Sequence, residues 1–152
     1  MKRVFTKNKF SKIDEAHMML AIEEAKKASR IELPIGAIVV YQGDVVGTGR
    51  AEDHVSCNPV RHAEVVAVEQ ACKFLHRTSL VDCTIYSTAE PCPMCASVIF
   101  QTKISKIIFG ISREKMPIRK RKISIYDLAR DSGYIPKIYS GLHEELILQL
   151  FT

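Results

Sequence analysis

The sequence predicts an α/β fold, a three-layer α/β/α sandwich built on a sheet of about five strands that is mostly parallel. Three observations lead there. Helix-period and β-rich segments alternate along almost the whole chain. One pair of β-rich runs is joined by a turn short enough for an antiparallel hairpin. Each later β-rich run is separated from the next by a helical stretch, as parallel crossovers require. The 152 residues suit one domain spanning 1–152, with no repeat or linker to divide it.

The elements follow in order. "SKIDEAHMMLAIEEAKKASR" starts a helix with Ser11 three residues ahead of Asp14, a capping-box spacing. Its charges Lys12, Glu15, Glu23, Lys26, Lys27 and Arg30 gather on one arc, which leaves Leu20, Ala21, Ala25 and Ala28 for the core. "AIVVY" and "VVGTG", joined through "QGD", read as a hairpin turning at Gly43. "AEDHVSCNPVR" is a polar loop that delivers the chain to a second helix, "HAEVVAVEQACKFL", with Val65, Val68, Ala71, Cys72 and Leu75 at helical spacing. "DCTIYSTA" is a strand running into a helix at "EPCPMCASVIFQTK", whose prolines stand where a helix start tolerates them. "KIIFGI" is a strand, "SIYDLARDSG" a short helix stopped by Gly133, "PKIYSG" the last strand and "LHEELILQLF" a terminal helix.

Composition narrows the function classes. With 47% hydrophobic and 26% charged residues the chain is neither disordered nor fibrous. Its longest apolar runs, "AIVVY" and "ASVIF", fall far short of the roughly 20 residues of a membrane span, and the amino terminus lacks a signal-peptide pattern, so a cytoplasmic protein with no membrane partner is expected. An odd count of five unevenly spaced cysteines fits a reducing compartment, and the isolated Cys57, Cys72 and Cys83 read as buried small hydrophobes. Part of the +5 net charge lies in "SREKMPIRKRK", with Arg113, Lys115, Arg119, Lys120, Arg121 and Lys122. Without interleaved aromatic residues this run reads as a solvated loop rather than a nucleic-acid surface.

The chemistry lies in two strings, "RHAEVV" and "EPCPMC". Cys92 and Cys95, two residues apart where a strand becomes a helix, sit where free N–H groups and the helix dipole favour thiolates. Thiolates at that spacing suit two corners of a zinc tetrahedron. His62 opens the preceding helix, and the starts of crossover helices gather at the carboxyl edge of the strands, so His62 is the natural third ligand. One imidazole and two thiolates leave a fourth position open, the arrangement of a catalytic site. Glu64, in the first turn of the same helix, is placed to carry protons between a zinc-bound water and a substrate. Two other readings use the same residues: a Cys92–Cys95 redox pair, which leaves "HAE" without a role, and a closed structural zinc site with Cys57 as fourth ligand.

"HAE" followed by "PCPMC" resembles the zinc-dependent cytidine/deoxycytidylate deaminase superfamily, whose signature is His-x-Glu with Pro-Cys-x-x-Cys. "PIGAIVV", "NPVRHAEVVAV", "TIYSTAEPCPMC" and "KIIFG" follow one another as in its nucleobase and tRNA-adenosine branch, over roughly residues 12 to 111. The resemblance implies a cytidine deaminase-like fold, one zinc per chain on His62, Cys92 and Cys95, proton transfer by Glu64, and a homodimer. It also implies that backbone groups at Ala63 and Pro91 hold the reacting groups, that Ile35 and Ala37 line the base pocket, and that Glu90 orients the ligand loop. Ala51 stands where many members of the branch carry an asparagine, and Asn58 or His54 is the candidate replacement.

The expected reaction replaces an exocyclic amine with oxygen and releases ammonia. "EPCPMC" and "HAEVVAVEQACK" resemble the guanine deaminases, whereas "REKMPIRKRK" and the acidic, apolar "HEELILQLF" depart from the tRNA adenosine deaminases. A small free purine, guanine first, is therefore the expected substrate, with adenosine in tRNA and cytosine or cytidine as alternatives. The carboxyl-terminal "GLHEELILQLFT" is expected to form a lid or a subunit contact.

Overall fold

A computed structural model describes residues 10–118 and 122–152. The chain order is α1 (Lys12–Lys26), β1 (Gly36–Tyr41), β2 (Asp44–Arg50), α2 (Ala63–Leu75), β3 (Cys83–Ala89), α3 (Pro93–Gln101), β4 (Lys106–Ile111), α4 (Ile125–Ser132), β5 (Lys137–Ser140) and α5 (Glu144–Leu148), closed by a 3-10 turn at Gln149–Phe151. Of the basic run, Arg119, Lys120 and Arg121 lie outside the described residues.

The strands form one sheet in the order β2-β1-β3-β4-β5. β1 pairs antiparallel with both β2 and β3, while β3–β4 and β4–β5 are parallel. Four strands therefore run one way and β1 alone runs the other. The expected mostly parallel sheet holds for strand direction, but inserting β1 between β2 and β3 makes half of the neighbouring pairs antiparallel. The hairpin causes this: its turn, Gln42 and Gly43, has positive φ at both residues, the geometry that closes a two-residue antiparallel link. The α2 crossover must then step over β1 to reach β3.

Period-two alternation divides β1 between two cores. Ala37 and Val39 face α2, α3 and α4, in a cluster with Ala63, Ala67, Ile85, Ile99 and Phe109. Ile38 and Val40 face α1 and α5, with Met18, Ile22, Tyr86, Ile108 and Ile147. Helices thus cover both faces, which completes the three layers.

Backbone contact with glycine sets the helix positions. At Gly36 an added Cβ would collide with the Ala21 carbonyl and the Ala25 amide, so α1 rests directly on β1. This docking rotates α1 so that Met18, Ala21, Ile22 and Ala25 are buried. Leu20, expected in the core, is instead 47% exposed, one residue off the stripe. Ala28 lies past the end of α1 and is half-buried. The expected Ser11–Asp14 capping box is formed, with reciprocal bonds of 3.0 and 3.2 Å.

Candidate active site

α2 and α3 each begin with a residue in extended conformation whose side chain makes no capping bond, His62 and Cys92 respectively. A serine or aspartate there would turn back to cap its own helix; these two side chains are left free to project beyond it. Pro93 fixes the first turn of α3 without removing a needed donor, and Cys95 follows in the same turn, fully buried. Parallel crossovers bring both helix starts to one edge of the sheet. His62 Nδ1 lies 3.6 Å from Cys92 Sγ and 3.6 Å from Cys95 Sγ. Ordinary zinc–sulfur and zinc–nitrogen bond lengths in a tetrahedron require an N···S edge of roughly 3.6 Å. The three residues therefore form a group that fits a tetrahedral ion.

Their protonation points the same way. The Cys92 thiol is driven down to about 3, chiefly by the hydrogen bond from Cys95 and then, against burial, by the one from His62. Cys95 is pushed far up, first by that shared bond with Cys92 and then by burial. His62 is raised by its bond to Cys92. A bound ion would favour the deprotonated forms of all three, because thiolate and neutral imidazole are the ligating forms.

Glu64 is 4% exposed, and burial first, then the Cys92 charge, raises its pKa. Its Oε1 lies 3.0 Å from Ser87 Oγ, which lies 2.8 Å from the Ala89 carbonyl oxygen. Ser87 has one proton, so the two contacts exchange roles. An ionised Glu64 accepts from Ser87; a protonated Glu64 donates to Ser87, which then donates to Ala89. Either state of the carboxyl is hydrogen-bonded, as a proton carrier needs.

Glu90 touches backbone rather than ligand atoms. Its Oε1 accepts from the Arg113 amide at 3.3 Å and its Oε2 from the Ile125 amide at 3.1 Å, so it ties both ends of the segment between β4 and α4 to the strand end before Cys92. Burial raises its pKa, against those two amides. On the other side, Arg61 bridges Glu52 and Glu69, at 2.5 and 2.9 Å, and so fixes the residue before His62. Such partly exposed pairs contribute on the order of 1 kcal/mol or less each, so their value here is positional.

These groups open on a cavity of about 380 Å³, within the size range of small-molecule sites. His62, Glu64, Glu90 and Cys92 line it, as do Ile35 and Ala63. Ala37 packs in the core beneath α2, away from the lining. Pro91 is buried between two lining residues. Asn58 caps its own loop, its Oδ1 accepting from the Val60 amide at 3.2 Å. Ala51 is a wall residue without a polar group, whereas His54 and Asp53 bring polar atoms to that wall. Buried Glu32 holds this loop, its Oε1 accepting from the amides of His54 at 2.8 Å and Val55 at 3.1 Å.

Leu33, Arg113, Met116 and Ile118 complete the lining, none of them anticipated from the sequence. Ser87 was missed as well, although its strand position two residues after Ile85 places it on the face shared with α2. Arg113 differs from the expected solvated loop residue, because its side chain belongs to the cavity wall. Cys57 is exposed with its thiol toward the His54 carbonyl, and it stands outside the His62 group, so the closed four-ligand site is not formed. Cys83 is buried as expected, Cys72 half-buried. Leu150, Phe151 and Thr152 line a different hollow, against the end of α1 and Pro117, so in this structure the carboxyl terminus does not cover the cavity. Among the described residues no helix is long and apolar enough to cross a membrane.

The model of the cytidine and deoxycytidylate deaminase zinc-binding region matches residues 11–111. A tRNA-specific adenosine deaminase of Haemophilus influenzae is 36% identical over 144 residues, 93% of this chain and 83% of that protein. One of Bacillus subtilis is 39% identical over 98 residues, 64% of this chain, and this chain spans 61% of its length. The structure of a tRNA:A34 deaminase superposes with a TM-score of 0.79 at 30% identity, covering 89% of this chain and 98% of that one. The guanine deaminase of Bacillus subtilis, at 24% identity and a TM-score of 0.63 over 78% of this chain and 90% of that one, shares the fold. With its motifs in register, its fold matched and its His, Glu and two Cys side chains assembled at one sheet edge, the chain belongs to the cytidine and deoxycytidylate deaminase zinc-binding family.

Proposed function

We propose that this protein hydrolytically deaminates adenosine in tRNA, producing inosine and ammonia, with one zinc per chain held by His62, Cys92 and Cys95. The observation that carries the substrate class is the 36% identity to a tRNA-specific adenosine deaminase over 93% of the chain. Guanine, favoured by the wording of "EPCPMC", has weaker support, since guanine deaminase neighbours are 24% identical or less. A cavity that the carboxyl-terminal residues do not line agrees with a polymer substrate, whose target base must enter while the rest of the chain stays outside.

Zinc, when bound, supplies a Lewis acid that brings the pKa of a water to about 7. The protein's own groups do the rest. Glu64, its pKa raised by burial, would accept a proton from such a water, give it to a ring nitrogen of the base, and return a second proton to the departing amine. Ser87 keeps its Oε1 in place through each change of state. Ile35 lies against the base, the Ala63 backbone holds the reacting groups, and apolar Met116 and Ile118 limit water in the cavity. Reduced cysteines and a tRNA substrate are consistent with the cytoplasm, and a homodimer is the assembly we expect, to be read by sedimentation.

The test is ammonia release and inosine formation with the zinc-loaded protein on tRNA, guanine, adenine, cytosine and their nucleosides, beside Glu64→Gln. Inosine in tRNA that disappears in the variant supports the proposal. Turnover of guanine without inosine formation overturns it.

A further inference from the structure

Among the described residues three buried side-chain atoms lack a hydrogen-bond partner, His17 Nδ1, Glu32 Oε2 and Arg113 Nε, and of these residues only Arg113 lines the active-site cavity. Its guanidinium has one weak bond, from Nη2 to the Glu90 carbonyl oxygen at 3.4 Å. Arg61, Arg77 and Lys115 each pair with a carboxylate, but Arg113 forms no ion pair among the described residues. The carboxylates around the cavity are engaged elsewhere: Asp53 with His54, Glu64 with Ser87, and both Glu90 oxygens with backbone amides.

The Glu90 carboxylate acts on Arg113 through space, but its oxygens accept backbone amides, so the partly buried guanidinium lacks a hydrogen-bonded counter-anion and gains when an anion arrives that accepts from its free donors. A guanidinium offers five donors in a planar fork that matches phosphate oxygens, and charge-assisted bonds of this kind are about twice as strong as bonds to a neutral base edge.

We propose that Arg113 takes a phosphodiester oxygen next to the target nucleotide, and so selects a nucleic-acid substrate over a free base. The inference rests on the proposed function for its substrate class and adds a specificity residue to it. The backbone amide, not the side chain, makes the Arg113 bond to the Glu90 carboxylate, so replacing the side chain leaves the loop anchored.

The experiment is binding of an anticodon-arm RNA hairpin carrying inosine at the target position, so that no turnover occurs, to wild type, Arg113→Gln and Arg113→Lys between 50 and 200 mM salt. One lost phosphate contact lowers the slope of log K against log salt by about 0.7 to 0.9, which narrows the gap between wild type and Arg113→Gln roughly threefold across that range. Arg113→Lys, which keeps the charge, should keep the slope. Free inosine should bind wild type and Arg113→Gln equally. An unchanged slope in Arg113→Gln, equal weakening for hairpin and nucleoside, or no hairpin binding by wild type overturns the inference. Binding needs no catalysis, so a lowered slope supports it even if guanine proves to be the only substrate, and an unchanged slope overturns it even if inosine forms in tRNA.

Discussion

Gly49 is far from the metal ligands in sequence, yet its substitution by alanine should weaken metal binding. A Cβ on Gly49 would collide with the Ala63 carbonyl oxygen and stand 2.7 Å from the Ala67 amide nitrogen, where ordinary contact begins at 3.4 Å. The first turns of α2 must retreat from β2 by at least about 0.7 Å, judged against ordinary packing distances. His62 and Glu64 ride on that turn, whereas Cys92 and Cys95 are carried by α3. The retreat therefore lengthens the two 3.6 Å His62–cysteine edges, which the tetrahedron does not tolerate. Overpacking of this kind costs about 1–3 kcal/mol, or roughly 2 to 12 °C in Tm for a chain of this size. The assay is zinc retained against a graded chelator series, with Tm measured on both metal-loaded and stripped protein. Gly49→Ala should lose zinc at lower chelator concentration, and its Tm deficit should be larger with metal than without. Gly43→Ala is the control: nothing lies within 4 Å of its Cβ, and its φ of +82° costs only local strain. If Gly49→Ala retains zinc and Tm like wild type, α2 is not set by glycine contact and the account of the site's construction fails.

If Glu64 is the proposed proton carrier and not a ligand, Glu64→Gln should lower turnover by about 10²- to 10⁴-fold while zinc content, measured by mass spectrometry, stays at the wild-type level. Cys57→Ser should leave both zinc content and Tm unchanged; a loss of metal would restore the closed structural site. Tyr86→Phe removes the 2.7 Å bond that the Tyr86 hydroxyl donates to Asp14, which joins β3 to α1. Burial raises the Asp14 pKa, but the bonds from Tyr86 and Ser11 outweigh it and the net shift is downward from 3.8. A lowered carboxylate contributes stability above its unfolded pKa and loses it as pH falls through the folded value. The Tyr86→Phe deficit should therefore be about 1 kcal/mol at pH 7, allowing for partial exposure, and should close below about pH 3.8 in acid-unfolding titrations.

Much of the architecture was legible because local chemistry and global fold agree. Ser11 and Asp14 form the box that their spacing announces, Gly43 turns the hairpin, and Ser124 and Gly133 bound α4. The placement of β1 between β2 and β3 was not legible, since pairing partners depend on the path of a crossover and not on any residue of β1. Leu20 misled because hydrophobicity alone cannot say how far a helix is rotated; Gly36 decides that through contact with Ala21 and Ala25. In the site, the convergence of His62, Cys92 and Cys95 was readable because their residue types, placed at two helix starts on one sheet edge, suit a single metal ion. Ala37 and Asn58 show the limit. Ala37 lies two residues past the lining residue Ile35, in the core beneath α2, and Asn58 satisfies its own loop.

This division has a physical origin. The proposed reaction groups stand at the starts of α2 and α3, where sheet register and glycine contact leave little freedom, and a mutation there would disturb the tight spacing that a tetrahedral ion needs. The walls that meet the rest of the substrate come from two irregular segments, the loop after β2 with Asp53 and His54 and the one after β4 with Arg113, Met116 and Ile118. Loops tolerate side-chain substitution when their backbones are held by groups other than the wall side chains, here by Glu32 and the loop's own backbone bonds on one side and by Glu90 on the other. Specificity can thus change without moving the ligands: Ala51 can lack a polar group while His54 brings one, and Arg113 can add a cation whose loop stays pinned by its own amide. Substitution of the Glu90 carboxylate should consequently cost more than substitution of any wall side chain, since it frees the amides of both Arg113 and Ile125 beside Cys92. In Glu90→Ala, substrate binding and zinc retention should fall together; in Arg113→Gln, zinc retention should stay at the wild-type level while RNA binding changes. If zinc retention in Glu90→Ala matches wild type, the walls and the metal centre are held independently, and the pinning ascribed to Glu90 is wrong.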